Sequence, residues 1–258
     1  MPTPNELRRI AESFGQDAER YDRTRPRYPE PMVERIVAAL PSPKSVLDVG
    51  VGTGIAARQF QAAGCRVLGV DPDERMAALA RTHGIEVEVS AFETWDPKRR
   101  RFDAVIAGQT WHWVDPLAGA QQAARVLRPG GMIALFWNAL APSPEVAARF
   151  GEVYRRVAPS LPFNPWAVPK NTGTGFHDRA ADGLRESKAF SEPVLWNFDW
   201  EHTYTREAWL DMVPTAGGHN LLPPGELQAL LDGLAAALDG TVTIDYTTVV
   251  TTASTANP

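Results

Sequence analysis

The sequence predicts an α/β fold with a parallel sheet covered by helices on both faces. Short apolar runs alternate with helical patterns between residues 44 and 137, the signature of strand–helix–strand units. The first run, Ser45-Val46-Leu47-Asp48-Val49, enters a glycine-rich turn, Gly50-Val51-Gly52-Thr53-Gly54, and a helical stretch follows at once. The second run ends Gly69-Val70-Asp71, putting an acid at the carboxyl end of a strand, where ligands of such sheets bind.

The elements follow in order. Leu7, Ile10, Phe14, Ala18 and Tyr21 recur at spacings of three and four, so residues 4–22 read as an amphipathic helix. Pro26 and Pro29 break it, because each proline disfavours helix at the residue before it. A second helix is expected from Pro31 to Leu40, stopped by Pro41 and Pro43. After the first strand come a helix from Ile55 to Ala63, a strand at 66–70, a helix at 73–82 and a strand at 86–89. A strand at 102–107, a helix at 116–127 and a strand from Met132 to Trp137 complete the alternation. Arg128-Pro129-Gly130-Gly131 is read as the turn before that last strand. Residues 139–200 are less regular, with a helix at Pro144–Val157 and then many Pro, Asn and Gly residues, and read as a cap or insertion. Helices at 206–213 and 224–238 precede a strand at 241–250, where Val242, Ile244, Tyr246 and Val250 share one face. The expected organisation is an N-terminal helical lid (1–43), a core (44–138), a variable acceptor region (139–200), and C-terminal helices with a final strand completing the same domain (201–258).

Composition removes several classes of function. With 258 residues, 44% hydrophobic and 22% charged, the chain is an ordinary globular one. Its net charge of −5 gives no general attraction for nucleic acid or anionic membrane. No apolar run approaches the roughly 18 residues of a membrane span, and Met1–Glu6 carries no secretory pattern. A single cysteine, Cys65, forms no internal disulfide and fits a reducing, cytoplasmic setting. It also excludes a cysteine-rich zinc site, and no histidine pair has helical zinc spacing, so no metal site is expected.

The glycine turn narrows the ligand. A dinucleotide fingerprint starting at Gly50 requires its third glycine where Ile55 stands; here it comes one residue early, at Gly54. No lysine follows as in a phosphate-binding loop. Asp48, at the entrance, suits a ligand bearing an ammonium or sulfonium charge better than a pyrophosphate. Asp71, 19 residues after Gly52, is placed to accept hydrogen bonds from two ribose hydroxyls. The plainer alternatives are a glycine turn that merely joins strand to helix, and an aspartate that caps the next helix.

Together, Val46-Leu47-Asp48-Val49-Gly50-Val51-Gly52-Thr53-Gly54, Gly69-Val70-Asp71, Ser90-Ala91-Phe92-Glu93 and Val126-Leu127-Arg128-Pro129-Gly130-Gly131 resemble the class I S-adenosylmethionine-dependent methyltransferases. Ser13-Phe14-Gly15, Tyr21-Asp22, Arg25-Pro26, Tyr28-Pro29 and Gln109-Thr110-Trp111-His112-Trp113-Val114-Asp115 extend the resemblance to a small-molecule branch of that family. The resemblance implies a doubly wound, Rossmann-like seven-stranded sheet, mostly parallel with an antiparallel C-terminal strand. It also implies S-adenosylmethionine as cofactor, leaving as S-adenosylhomocysteine, and in-line methyl transfer to a small-molecule oxygen or carbon. By the same resemblance Asp48, Gly50 and Gly52 hold the methionine part, Asp71 the ribose, and Pro72 flanks adenine. Ala91, Phe92 and Glu93 contact adenine, Gly108 and Gln109 lie near the methionyl group, and Tyr21 and Arg25 close over the cofactor. The family often has Ala-Glu where this chain has Ala91-Phe92-Glu93, so the adenine contact is divided between Phe92 and Glu93.

For chemistry, His112 between Trp111 and Trp113 is the candidate general base, against a packed histidine at the pocket lip. His177, His202 and His219 read as surface or cap residues, with contact to an acceptor as the alternative. Trp137, Trp166, Trp196, Trp200 and Trp209 read as cap packing, with an aromatic acceptor pocket as the alternative. Lys98-Arg99-Arg100-Arg101 reads as a solvated loop rather than an RNA contact. Ala107-Gly108-Gln109-Thr110 lacks the Pro-Pro-aromatic motif of nucleic-acid amino methyltransferases, so no nucleic acid or membrane partner is expected. Rival readings are a cofactor-binding regulatory protein without transferase activity, a nicotinamide oxidoreductase and an RNA methyltransferase. A monomer and a homodimer are equally compatible with the sequence.

Overall fold

The structure is a computed structural model that describes residues 4–42, 44–159, 161, 166 and 174–256. Its strands are β1 (Ser45–Val49), β2 (Arg66–Asp71), β3 (Glu86–Val89), β4 (Phe102–Gly108), β5 (Leu127–Ala141), β6 (Val194–Thr205) and β7 (Thr241–Ser254). They form one seven-stranded sheet in the order β3-β2-β1-β4-β5-β7-β6, parallel from β3 through β5, with antiparallel C-terminal strands. The expected α/β class and strand count are both present. The order reverses between β1 and β4, which opens a crevice at the carboxyl ends of the strands.

The helices are α1 (Pro4–Ser13), α2 (Ala18–Thr24), α3 (Glu30–Ala38), α4 (Ile55–Ala62), α5 (Glu74–Thr82), α6 (Pro116–Val126), α7 (Pro144–Val157), α8 (Thr174–Ser187), α9 (Arg206–Met212) and α10 (Pro224–Ala236). The single helix expected over residues 4–22 is two helices separated by a tight 3₁₀ turn, Phe14–Asp17. Asp17 divides them: its side chain caps α2 by accepting the Arg20 N–H at 3.0 Å. The expected turn at Arg128–Gly131 is a loop inside β5. Leu127 already pairs with Phe102, and Met132 resumes the ladder opposite Ala104, with Gly130 at φ +73° letting the chain return.

The chain divides into two compact units. One comprises Arg27–Ala139, Gly173–Phe198 and Thr247–Pro258. Leu47, Val49, Val105, Ile133 and Leu135 fill one face of its sheet, under Ala120 and Ala123 of α6 and Ala180 and Leu184 of α8. Each such aliphatic side chain, fully buried, contributes about 1.5–3 kcal/mol. Gly183 lets α8 approach α6, since a Cβ there would meet the Pro116 carbonyl oxygen at 2.4 Å. Residues 174–198 therefore carry a regular helix and the start of a strand where irregular chain was expected.

The other unit comprises the described residues of Met1–Pro26, Leu140–Thr172 and Asp199–Tyr246. Phe150, Tyr154, Trp209, Leu230, Leu234, Ile244 and Tyr246 form its core. Alternate residues of β7 (Val242, Ile244, Tyr246) are buried here and Val250 is buried in the first unit, as the period of two predicts. Among the described residues no helix is long and apolar enough to cross a membrane.

Candidate functional site

The glycine turn sits at the carboxyl end of β1. Gly50, Gly52 and Gly54 have φ of +65°, +55° and +86°, a left-handed backbone that side chains other than glycine resist. Space is also short at the first of them: a Cβ on Gly50 would meet Thr110 Cγ2 at 2.0 Å. Thr110 in turn lies within hydrogen-bonding distance of the carbonyls of Gly50 (3.2 Å) and Gly108 (3.1 Å), tying the end of β4 to the turn.

The glycine N–H groups of the turn are already engaged. Gly50 N–H donates to the Val70 carbonyl at 2.8 Å, Gly52 N–H to Asp71 Oδ2 at 2.8 Å, and Gly54 N–H to the Val51 carbonyl at 2.9 Å. A phosphate cradle needs such donors aimed at the ligand. This turn instead presents two carboxyl groups. Asp71 is buried; its Oδ1 accepts the Asp73 N–H at 2.8 Å, and burial raises its pKa from 3.8 to about 6. Asp48 is buried more deeply, its Oδ2 has no partner, and burial followed by the Asp71 charge pushes its pKa well up. A buried acceptor without a partner is costly, and a cationic or hydrogen-donating ligand would satisfy it. The donor set therefore fits a nucleoside with a sulfonium and an ammonium group, and does not fit a pyrophosphate.

Pro72 and Ala91 are exposed beside this edge. Phe92 departs from expectation. Its ring is buried, 6.5 Å from that of Trp95 and 6.0 Å from that of Trp111, because the 3₁₀ turn Phe92–Thr94 aims it into the core. It offers no ring face to an adenine. Glu93 is also committed: its Oε1 accepts the Asp115 N–H at 3.0 Å, and Asp115 caps α6. Gly108 is required by close packing, since a Cβ there would meet the Tyr28 hydroxyl at 2.5 Å and Phe136 at 2.7 Å. Tyr28 itself is clamped to α4, its N–H donating to Gln59 Oε1 (3.1 Å) and its carbonyl accepting from Gln59 Nε2 (2.7 Å). Gln109 follows with φ +55°, its side-chain amide donating to the Asn138 carbonyl at 3.3 Å. Thr110 and Tyr28 are thus part of the site's frame although sequence reasoning gave neither a role.

His112 does not have the hydrogen bonding of a general base. Trp137 donates its indole N–H to His112 Nδ1 at 3.1 Å. Burial, then the Arg179 charge, lowers the His112 pKa to about 4. The ring is neutral at pH 7, its Nδ1 lone pair is occupied, and its proton resides on Nε2. His177 and His219 are buried rather than superficial. His177 Nδ1 lies 3.1 Å from the Thr251 hydroxyl, and His219 Nε2 lies 2.8 Å from the Tyr154 hydroxyl. His202 is exposed. Of the tryptophans, Trp137 and Trp209 are buried in the cores of their respective units, Trp166 and Trp200 pack against the latter core, and Trp196 lies under the Arg35 guanidinium at 4.0 Å. Lys98 and Arg100 of the basic run pair with Glu88 on the surface. Among the described residues no cluster of three His, Cys, Asp or Glu side chains could hold a metal ion.

Tyr21 and Arg25 belong to the other unit. There the Arg25 guanidinium lies 4.9 Å from the Tyr21 ring centroid and donates to the Thr215 carbonyl.

Comparison with known proteins adds the following. A family model described as a methyltransferase domain matches residues 21–185. An uncharacterized methyltransferase of Mycobacterium bovis is 37% identical over 131 residues, 49% of this chain and 52% of that protein. A ubiquinone biosynthesis O-methyltransferase of Bradyrhizobium is 36% identical over 95 residues, 34% of this chain and 37% of that protein. The chain spans about half the length, or less, of these curated relatives. A solved structure from Anaeromyxobacter dehalogenans, provisionally named a type II methyltransferase, superposes with a TM-score of 0.65 at 22% identity, covering 91% of this chain and 99% of the other.

Proposed function

The chain belongs to the methyltransferase-domain family, and from that premise we propose that it is an S-adenosylmethionine-dependent methyltransferase acting on an oxygen of a small molecule. One observation carries the cofactor assignment. The glycine N–H groups are spent within the protein, while two buried carboxyl groups stand at the strand ends beside the turn: Asp71, bonded to the Gly52 N–H, and Asp48, with an unpartnered oxygen. The ubiquinone biosynthesis O-methyltransferase relatives support oxygen as the acceptor atom.

When bound, S-adenosylmethionine supplies a methyl carbon on a positively charged sulfur, open to in-line displacement. Asp71 would accept hydrogen bonds from the sugar hydroxyls, held in place by the Gly52 and Asp73 N–H groups that donate to its carboxylate. Asp48 lies at the turn's entrance, where burial holds its carboxyl group toward the neutral form, and a cationic methionine part beside it would draw it to the charged form. Pro72 and Ala91, exposed beside this edge, would flank the adenine, and Gly108 and Gln109 would border the methionyl group. The chain's main contribution is alignment and exclusion of water rather than proton abstraction.

Release of S-adenosylhomocysteine from S-adenosylmethionine in a screen of small oxygen acceptors tests the reading. Turnover with at least one acceptor, abolished in Asp71→Ala, is expected. Tight cofactor binding without turnover on any acceptor would favour a regulatory protein instead.

A further inference from the structure

We propose that the acceptor is a planar aromatic molecule carrying an anionic oxygen, seated against Phe176 and held by the Nε2–H of His112 acting as a fixed hydrogen-bond donor. This inference rests on the methyltransferase reading and names the substrate class of the same site.

Four observations within one unit converge on it. First, the His112 tautomer is dictated by its neighbour. An indole nitrogen only donates, so the 3.1 Å bond from Trp137 Nε1 leaves the His112 proton on Nε2. Trp137 is the ring's only hydrogen-bond partner among the described residues, and His112 is only partly buried, so its Nε2–H edge is open to a ligand.

Second, a flat apolar surface adjoins that donor. The Phe176 ring stacks on His112 at 4.5 Å and 28°, and on Trp137 at 6.5 Å and 16°. Phe176 is nevertheless 40% exposed, at the first turn of α8. A planar ligand lying beside this stack, in the direction of the His112 N–H, would meet the exposed Phe176 ring at its edge, an arrangement aromatic pairs favour.

Third, the local charge favours an anion. Arg179 follows Phe176 by three residues and so lies on the same side of α8. It makes no ion pair among the described residues, and its charge is felt at His112. Beside the ring stand the uncharged Trp113 and Trp137; His177, which is neutral, packs on Trp137, and Asp178 acts on His177.

Fourth, the acceptor must provide its own electron pair. His112 has none free, and Asp71 is engaged with Gly52 and Asp73. An ionised oxygen meets this requirement: its lone pair forms the new C–O bond as the C–S bond breaks and that pair returns to sulfur, and no proton has to leave. The donor lies at the correct edge of the sheet, since Thr110, two residues before His112, contacts Gly50.

The test uses the full chain in two steps. Calorimetry with S-adenosylhomocysteine comes first; absence of binding there would overturn the methyltransferase reading and this inference with it. The saturated protein is then titrated with 4-hydroxybenzoate, salicylate and 1-hydroxy-2-naphthoate, against cyclohexanecarboxylate and benzylamine as saturated and cationic controls. At least one aromatic anion is expected to bind roughly tenfold or more tightly than either control, and Phe176→Ala, a change at an exposed site, to reduce that binding by up to about tenfold. Equal or better binding of the controls would overturn the inference while leaving the cofactor reading intact. Nitrogen NMR of the histidines supplies a readout that mere packing would not move. His112 should be the Nε2–H tautomer from pH 6 to 8, and Trp137→Phe should raise its pKa and restore mixed tautomers. An imidazolium at pH 7 in the unaltered chain would overturn the donor role.

Discussion

Replacing Gly50 by alanine tests the shape of the cofactor turn most sharply. Two costs add. The first is conformational: alanine at φ +65° pays about 1–2 kcal/mol for the left-handed region. Loss of glycine's freedom in the unfolded chain returns about 0.4–1 kcal/mol. The second is steric: the new Cβ would stand 2.0 Å from Thr110 Cγ2, 2.6 Å from Oγ1 and 2.7 Å from Cβ. Thr110 cannot retreat without breaking its contacts to the Gly50 and Gly108 carbonyls. Overpacking of this kind costs about 1–3 kcal/mol, so Gly50→Ala should lose about 2–4 kcal/mol in all. Gly64→Ala is the control, because Gly64 has φ +85° with nothing within 4 Å of a Cβ. It should lose only the conformational part, about 1 kcal/mol. Urea unfolding of both variants measures the difference. Thr110→Ala added to Gly50→Ala removes the two nearest atoms and should recover part of the steric loss as a coupling energy. Equal destabilisation by Gly50→Ala and Gly64→Ala, with no coupling to Thr110, would refute the packing argument.

Other expectations follow from the buried charges. Asp71 has a folded-state pKa of about 6 against 3.8. The folded chain therefore binds the proton more strongly, and this contribution to stability is present below pH 4 and lost as pH rises through 6. Its size is about 3 kcal/mol at 1.36 kcal/mol per pKa unit, and Asp48 acts in the same direction. Urea unfolding at pH 4.5 and 7.5 should show that slope reduced in Asp71→Asn; identical slopes would contradict it. On the proposed reading sugar hydroxyls donate to the ionised Asp71 carboxylate, so cofactor affinity should rise over the same interval, measurable by titration at both pH values. In the other unit, the Tyr204 and Tyr246 hydroxyls are 2.7 Å apart and buried. Tyr204→Phe should cost about 1–2 kcal/mol in urea unfolding by leaving Tyr246 without its partner, and the double phenylalanine variant less than twice that.

The core of the fold was legible because its signals are local. Asp48 to Gly54 lie within one strand–turn–helix, and Asp71 ends the neighbouring strand, so spacing alone brings them to one edge. The helix Pro144–Val157 was likewise marked at both ends. The misses depended on partners distant in sequence. The strand β6 carries half-buried aromatics at alternate positions, Trp196, Phe198 and Trp200, a period of two that was visible but read residue by residue. Helix α8 contains a glycine that looks like a breaker until Pro116 is seen against it. The role of His112 turned on an indole 25 residues away, which no local pattern announces. The inward turn of Phe92 had the same character, since the residues that enclose it come from the following loop and from the segment after β4.

Calorimetric titration of the intact chain with S-adenosylmethionine, beside Asp71→Ala, tests the central claim most directly. A one-to-one complex in the micromolar range is expected. Loss of two hydrogen bonds to a charged acceptor, about 3 kcal/mol, should weaken it roughly 100-fold in the variant. No measurable binding by the unaltered chain, or equal affinity in the two proteins, would contradict the account.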